Sequence, residues 1–129
     1  PPRSTLFPYT TLFRSVSRYV PEQSDPDRLI FFFAYHITII NHSDHPVTLK
    51  NRYWHIRDGV GHVEEVRGPG VVGYQPRLEK GQSFNYTSFC PLRTEFGVMK
   101  GHYEMFFDDG KSFEAEIAPF QLVIPHAIN

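Results

Sequence analysis

The sequence predicts an all-β protein, folded as an antiparallel β-sandwich of about seven strands. Three observations support this class. Apolar and polar residues alternate along most of the chain, and no segment shows the helical period of 3.6 residues. Turn-forming Gly, Pro, Asn and Asp recur between the alternating segments. The single tryptophan, Trp54, suits an immunoglobulin-like or fibronectin type III-like core, with a closed barrel as the alternative architecture.

The first half of the chain contains the clearest predicted strand, from Ile30 to Asn41. Its inward-facing residues alternate at Phe33, Tyr35, Ile37 and Ile39. The remnant of an earlier strand is predicted at Val16–Glu22, and the next strand at Val47–Asp58. In the latter the apolar phase changes by one residue, which predicts a β-bulge near Asn51–Tyr53.

The second half alternates short strands with glycine turns. Three strands are predicted, at His62–Arg67, Ser83–Phe89 and Val98–Phe107. The segment Cys90–Phe96 is predicted as an irregular crossing. Asp108-Asp109-Gly110 is a strong hairpin signal that leads into the last strand. The apolar phase of that strand shifts after Pro119, which predicts an edge position or a bulge there.

The first 15 residues differ in character from the rest. Thr5–Ser15 resembles, residue for residue, a translated short-read sequencing adapter, and it contains Thr-Leu-Phe twice. Such segments are excluded from fold reasoning. We therefore predict a non-native segment at residues 1–15 and one domain at residues 16–129, long enough to bury its own core. The alternative is a native first strand, because Phe and Tyr favour strands.

Charge and composition exclude several classes of function. The chain has 13 basic and 14 acidic residues, and without Arg3 and Arg14 its formal charge is −3. No basic excess is available to bind a nucleic-acid backbone or an anionic membrane. No apolar run approaches the ~20 residues of a membrane span, and no signal peptide is visible. Cys90 is the only cysteine, so no internal disulfide is possible and a cytoplasmic location is expected.

The segment Glu64–Pro76 contains the one sequence motif in this chain that a motif search would identify. Gly68, Gly70 and Gly73 have the Gly-x-Gly-x-x-Gly spacing of dinucleotide-binding turns. Such a turn precedes a helix, and Pro76 makes a helix start there unfavourable. The segment is therefore predicted to be a rigid surface loop.

Two binding functions are open for this loop. Its expected binding residues are Arg67, Gly68, Gly70, Gly73, Tyr74 and Gln75. It could contact a protein, with Arg52 and Tyr86 as flanking contacts, because Tyr and Arg are enriched at binding hot spots. Alternatively, backbone N–H groups of Gly68–Gly73 could bind phosphate or a nucleotide, with Arg67 adding positive charge.

Seven histidines raise a metal hypothesis without supplying a convergent ligand set. Neutral imidazole binds cobalt-like metals, so the candidate pairs are His42 with His45 and His36 with His102. The spacing of these pairs is loose, and neither a metal-ligand set nor a cofactor is assigned.

No catalytic residues are assigned. Ser88 and Cys90 are the candidate nucleophiles, but no elbow motif frames either of them. Cys90 suits a small buried apolar position. We therefore expect a protein that is not an enzyme.

Five pieces of the chain, taken together, resemble the ApaG family. They are Phe33–Tyr35, Asn51–Trp54, Glu65–Pro76, Tyr86–Ser88 and Gly101–Met105. The resemblance extends over about Val16–Asn129 and implies a fibronectin-type β-sandwich, usually a small stand-alone bacterial protein. It also implies a link to cobalt and magnesium efflux or tolerance, with no established reaction. Related domains in some eukaryotic F-box proteins resemble protein-interaction modules.

These observations together predict a small, non-enzymatic binding module with an unidentified protein partner. Binding of phosphate or a nucleotide through Gly68–Gly73 is one alternative. Binding of a divalent metal through histidines is the other.

Overall fold

The computed structural model describes residues 11–125, which fold into a sandwich of two antiparallel sheets. The strands in chain order are β1 (Thr11–Tyr19), β2 (Phe31–Asn41), β3 (Val47–Asp58), β4 (Val63–Pro69), β5 (Arg77–Leu78), β6 (Ser83–Leu92), β7 (Phe96–Phe107) and β8 (Ser112–Val123). Two 3-10 turns, Pro21–Gln23 and Pro26–Arg28, connect β1 to β2. The predicted all-β class is confirmed, and the eighth strand is the two-residue β5.

The smaller sheet has the strand order β1-β2-β6, and the larger sheet has the order β4-β3-β7-β8, with β5 also paired to β3. Every pairing of named strands is antiparallel. The helical residues in the described range are confined to short turns, so none of its helices could cross a membrane.

Both predicted phase changes are present as bulges. The β3–β7 register shifts between Leu49 and Asn51. Odd-numbered residues such as Leu49 therefore face the core before Lys50, and even-numbered residues such as Trp54 face it afterwards. The β7–β8 register shifts between Met99 and Gly101, opposite the segment that contains Pro119. Because β8 is also an edge strand, Pro119 lies where a missing N–H group is tolerated.

Several predicted strand boundaries are wrong, and two of them have a clear physical reason. Cys90, Pro91 and Leu92 continue β6 instead of forming an irregular crossing. The free edge of β6 accommodates Pro91, which has no N–H group to donate. The first strand ends at Tyr19 rather than Glu22, because a 3-10 turn begins at Pro21.

The predicted non-native segment lies partly outside the described residues, which begin at Thr11. Its last five residues pair with β2, where Thr11 is opposite Asn41 and Ser15 is opposite Ile37. This pairing shows a strand conformation and does not bear on where the segment came from. The origin of residues 1–15 stays a prediction.

Aromatic side chains from both sheets fill the core. The Trp54 ring is 5.5 Å from the Tyr35 ring, 5.9 Å from Phe120 and 6.3 Å from Tyr103. The hydroxyl of Tyr103 forms a buried hydrogen bond with the hydroxyl of Tyr86. Because Tyr35 and Tyr86 lie on the smaller sheet and Trp54 and Tyr103 lie on the larger one, the cluster connects the two sheets at the end where the glycine segment lies.

Candidate binding site

The glycine segment contains a tight two-residue hairpin. The N–H of Val71 donates to the carbonyl of Tyr74 and the N–H of Tyr74 donates to the carbonyl of Val71, each at 2.8 Å. Its central residues, Val72 and Gly73, have φ angles of 43° and 86°. Positive φ at both positions defines a type I′ turn, which normally takes Asn-Gly. No helix follows Gly73, as predicted.

Gly70 allows this glycine hairpin, residues 70–74, to close. Its φ is 61°, and a Cβ atom added there would lie 2.3 Å from the Tyr74 carbonyl oxygen. Its N–H donates to the Lys50 carbonyl at 2.8 Å. Because the two arms of the hairpin approach so closely, only a residue without a side chain fits at this position.

Arg52 holds the base of the hairpin. Its Nη1 donates to the carbonyls of Pro69 and Gly70, each at 2.9 Å. The guanidinium lies against Gly68, where an added Cβ would be 3.1 Å from Nη1. On the other arm, Gln75 Nε2 donates to the Lys50 carbonyl at 2.9 Å. These bonds fix both arms to β3 and make the segment rigid.

The tip of the hairpin is apolar and open to solvent. Val72 is 49% exposed and Tyr74 is 62% exposed, whereas Val71 between them and the core is buried. The Tyr74 ring also lies 6.0 Å from the ring of Phe84 on β6. The hairpin therefore presents an aliphatic and an aromatic side chain on a turn that has little freedom to move.

A hollow of about 400 Å³ lies behind the hairpin, between the ends of the two sheets. It is lined by the hairpin and by the side chains of Tyr35, Arg52, Trp54, Tyr86 and Ser88. Burial raises the pKa of Tyr35, which the hydrogen bond with Ser88 and the positive charge of Arg52 partly offset. Burial also raises the pKa of Tyr86, so these hydroxyls stay protonated at neutral pH.

The structure separates the residues that the sequence grouped into one loop. Gly68 and Pro69, predicted to lie in the loop, belong to β4, where their backbone pairs with β3. Arg67 lies on β4, and its guanidinium is 4.3 Å above the ring of Tyr53, away from the hairpin amides. Tyr86, expected to be a surface contact, is buried and reaches only the lining of the hollow. Arg52 contacts both Gly68 and Gly70. Gly73, Tyr74 and Gln75 form the exposed side of the turn.

Similarity to known proteins identifies the family. The ApaG domain model matches residues 21–106. The chain belongs to the ApaG family. The Protein ApaG of Pseudomonas putida strain F1 is 51% identical over 114 residues, which are 88% of this chain and 90% of that protein. The Protein ApaG of Azotobacter vinelandii is 50% identical over 113 residues, again 88% of this chain and 90% of that protein.

Two solved structures share the ApaG-family fold seen here. The crystal structure of an ApaA protein from Bordetella pertussis has a TM-score of 0.86 and 47% identity, covering 89% of this chain and 94% of that one. A structural-genomics X-ray structure has a TM-score of 0.88 and 34% identity, covering 94% of this chain and 92% of that one. No reaction is named for these relatives.

A row of charged and aromatic side chains crosses the outer face of the larger sheet in this ApaG domain. The register places Arg67, Tyr53, His102 and Glu116 side by side on β4, β3, β7 and β8. The rings of Tyr53 and His102 stack at 5.0 Å, and His102 Nε2 is 3.5 Å from Glu114 Oε2. One ligand atom from each of His102, Glu114 and Glu116 lies within 4.8 Å of the others.

Neither histidine pair suggested by the sequence forms a ligand cluster as a pair within residues 11–125. His36 lies on β2 of the smaller sheet, where it hydrogen-bonds Thr87 at 2.8 Å, and His102 lies on β7 of the larger sheet. His42 and His45 are both exposed in the turn after β2. Sequence reasoning missed Glu114 and Glu116, although a hairpin at Asp108–Gly110 with alternating strands would have placed both on the face of His102.

Neither candidate nucleophile of the ApaG domain is activated. Cys90 is buried, and burial raises its thiol pKa to about 12, so the reactive thiolate is scarce at neutral pH. Ser88 lies beside Tyr35 and lowers the pKa of that phenol. Among the histidines of residues 11–125, none hydrogen-bonds either nucleophile.

Proposed function

We propose that this ApaG domain is a non-enzymatic, cytoplasmic module that presents the glycine hairpin to a partner protein. The observation that supports this most directly is Val72, a β-branched residue with φ of 43° that is 49% exposed at the tip of the turn. Left-handed backbone at a non-glycine residue raises the free energy of the fold by about 1–3 kcal/mol. Such strain concentrates where binding requires a particular side chain.

The rest of the hairpin supports the same role. Tyr74 places an exposed aromatic ring beside Val72, and tyrosine is among the residue types enriched at binding hot spots. Arg52 and Gln75 already hold the arms in place. Because little ordering is needed on association, less conformational entropy is lost. The link to cobalt and magnesium tolerance that the family implies would then act through the partner.

The test compares protein recovery by three forms of the domain from a Pseudomonas putida lysate, measured by quantitative mass spectrometry. We expect the Val72→Asn/Tyr74→Ser variant to lose its partner by about 10-fold or more, since truncated hot spots cost about 2 kcal/mol. Val60→Asn is the matched control, because Val60 is 81% exposed in a different turn. Its recovery should equal that of the parent.

Folding of the double variant is checked by urea denaturation. Asn is favoured in a type I′ turn, so Val72→Asn alone should raise the free energy of unfolding by about 1 kcal/mol. Equal recovery of every protein by the parent and by a folded Val72→Asn/Tyr74→Ser variant would refute the proposed role of the hairpin.

Phosphate or nucleotide binding by the loop amides has less support. The N–H groups of Gly70, Val71 and Tyr74 already donate to carbonyls within the chain. Arg67, which would have added positive charge, lies on β4 with its guanidinium over the ring of Tyr53. An anion bound to these three amides would therefore have to displace existing hydrogen bonds without help from that guanidinium.

Divalent-metal binding is a second candidate, supported by the convergence of His102, Glu114 and Glu116. An imidazole nitrogen with two carboxylates suits cobalt-like ions. We expect calorimetric titration with cobalt chloride to give saturable binding, weakened by about 10-fold or more in His102→Gln and Glu116→Gln. Glu22→Gln, which changes an exposed glutamate elsewhere, is the control. Identical isotherms for the parent and His102→Gln would exclude this site.

A further inference from the structure

We propose that Arg52 binds a carboxylate side chain of the partner protein in the hollow behind the glycine hairpin. This inference rests on the proposed function and names the chemistry that the partner must supply. It places the centre of recognition on Arg52, with the exposed hairpin tip as its rim.

The first step is the unpaired charge of Arg52. Within residues 11–125, the hydrogen bonds of Arg52 use Nη1 alone, with two carbonyl acceptors. No Asp or Glu of residues 11–125 lies within 4.0 Å of its nitrogens. A guanidinium has five N–H donors, so donors remain available for a ligand. Arg52 is half-buried, and a half-buried cation without a counter-charge raises the free energy of the protein. Binding of an anion beside it would lower that cost.

The second step is the chemistry of the lining. Among residues 11–125, Arg52 is the one charged side chain around the hollow, and the polar residues Tyr35, Tyr86 and Ser88 line it beside the apolar Trp54 and Val71. A single positive charge matches a carboxylate, whereas a phosphate dianion would leave negative charge uncompensated. Arginine also pairs with carboxylates in a planar, two-bond geometry that gives specificity.

The third step is access from the hairpin. Val72 and Gly73 belong both to the exposed tip and to the lining of the hollow. A partner segment that packs across the tip is therefore positioned to insert an Asp or Glu side chain beside it. The volume of about 400 Å³ accommodates one such side chain with part of its backbone.

The test titrates ¹⁵N-labelled protein with N-acetyl-L-glutamate methylamide and follows amide shifts by NMR. We expect saturable shifts at Val72, Gly73 and Ser88, and none with the neutral glutamine analogue. Inorganic phosphate forms a third arm. Saturation by phosphate at lower concentration than by the glutamate probe would overturn the assignment to a carboxylate.

Variants identify the residue that binds. Arg52→Lys keeps the charge but loses the planar fork, and we expect about 10-fold weaker binding, the loss typical of one charged hydrogen bond. Because Arg52 also anchors the hairpin, Ser88→Ala is included as a change that leaves those anchors intact, with a smaller loss expected. Arg93→Gln removes an exposed arginine elsewhere and should bind like the parent.

Two results would overturn the inference while leaving the proposed function standing. One is equal shifts with the acid and the neutral analogue. The other is full partner recovery by a folded Arg52→Gln variant when Val72→Asn/Tyr74→Ser has lost the partner. If the hairpin variant loses nothing, the proposed function itself fails.

Discussion

Gly70→Ala is expected to lower the free energy of unfolding by about 4 kcal/mol or more, the largest effect of any single methyl group in the glycine hairpin. The added Cβ would lie 2.3 Å from the Tyr74 carbonyl oxygen, and φ at this position is 61°. Both problems involve backbone, so no side-chain rotation relieves them. Urea denaturation followed by the fluorescence of Trp54, the single tryptophan and a buried one, measures the change.

Gly73→Ala is the matched control for Gly70→Ala. Its φ is 86°, but an added Cβ would have no heavy atom within 4 Å. The substitution therefore isolates the effect of a left-handed backbone at a residue with a side chain, and we expect it to lower the free energy of unfolding by about 1–2 kcal/mol. Similar losses for the two variants would contradict the close approach of the hairpin arms.

Gly101→Ala should be comparably damaging, by about 4 kcal/mol or more, although no positive φ is involved. A Cβ there would lie 2.0 Å from the Tyr53 carbonyl oxygen and 3.2 Å from the Trp54 Cα. Accommodating this Cβ requires β3 and β7 to move apart at Tyr53, which belongs to the row on the outer face, and at Trp54, which lines the hollow. Thermal and urea unfolding of the purified variant measure the loss.

Gly59→Ala provides the comparison for Gly101→Ala. It also lacks a positive φ, and an added Cβ would lie 3.2 Å from Thr94 Oγ1 and 3.4 Å from the Phe96 carbonyl oxygen, so its neighbours need to shift by only a few tenths of an ångström. We expect Gly59→Ala to lower the free energy of unfolding by about 1 kcal/mol or less. If Gly101→Ala were as stable as Gly59→Ala, the close β3–β7 contact would be wrong.

Most strands were predictable because consecutive residues encode them. The alternation in β2 identified Phe33, Tyr35, Ile37 and Ile39 as inward-facing, and all four are buried. The bounds of β3, Val47–Asp58, agree with the prediction. A phase change is visible in sequence as a broken alternation, which is why both bulges were found.

The hairpin was less predictable because Val72 departs from the usual turn chemistry. Sequence rules look for Asn or Gly at the first central position of a type I′ turn. Valine there is tolerated because hydrogen bonds from Gly70, Val71 and Tyr74 enforce the turn from both sides. Its strain is therefore apparent only once those partners are in place.

The sequence by itself determined the all-β class, the resemblance to the ApaG family, and the glycine-rich segment as the candidate binding region. Only the tertiary structure decided which side chains meet there. Arg67 was assigned to the loop because it precedes Gly68, but its register against Tyr53 directs it to the outer face. The reason is physical. Alternation follows from neighbouring residues in the chain, whereas the face on which Arg52 lies depends on the bulge at Lys50 and on pairing with strands distant in sequence.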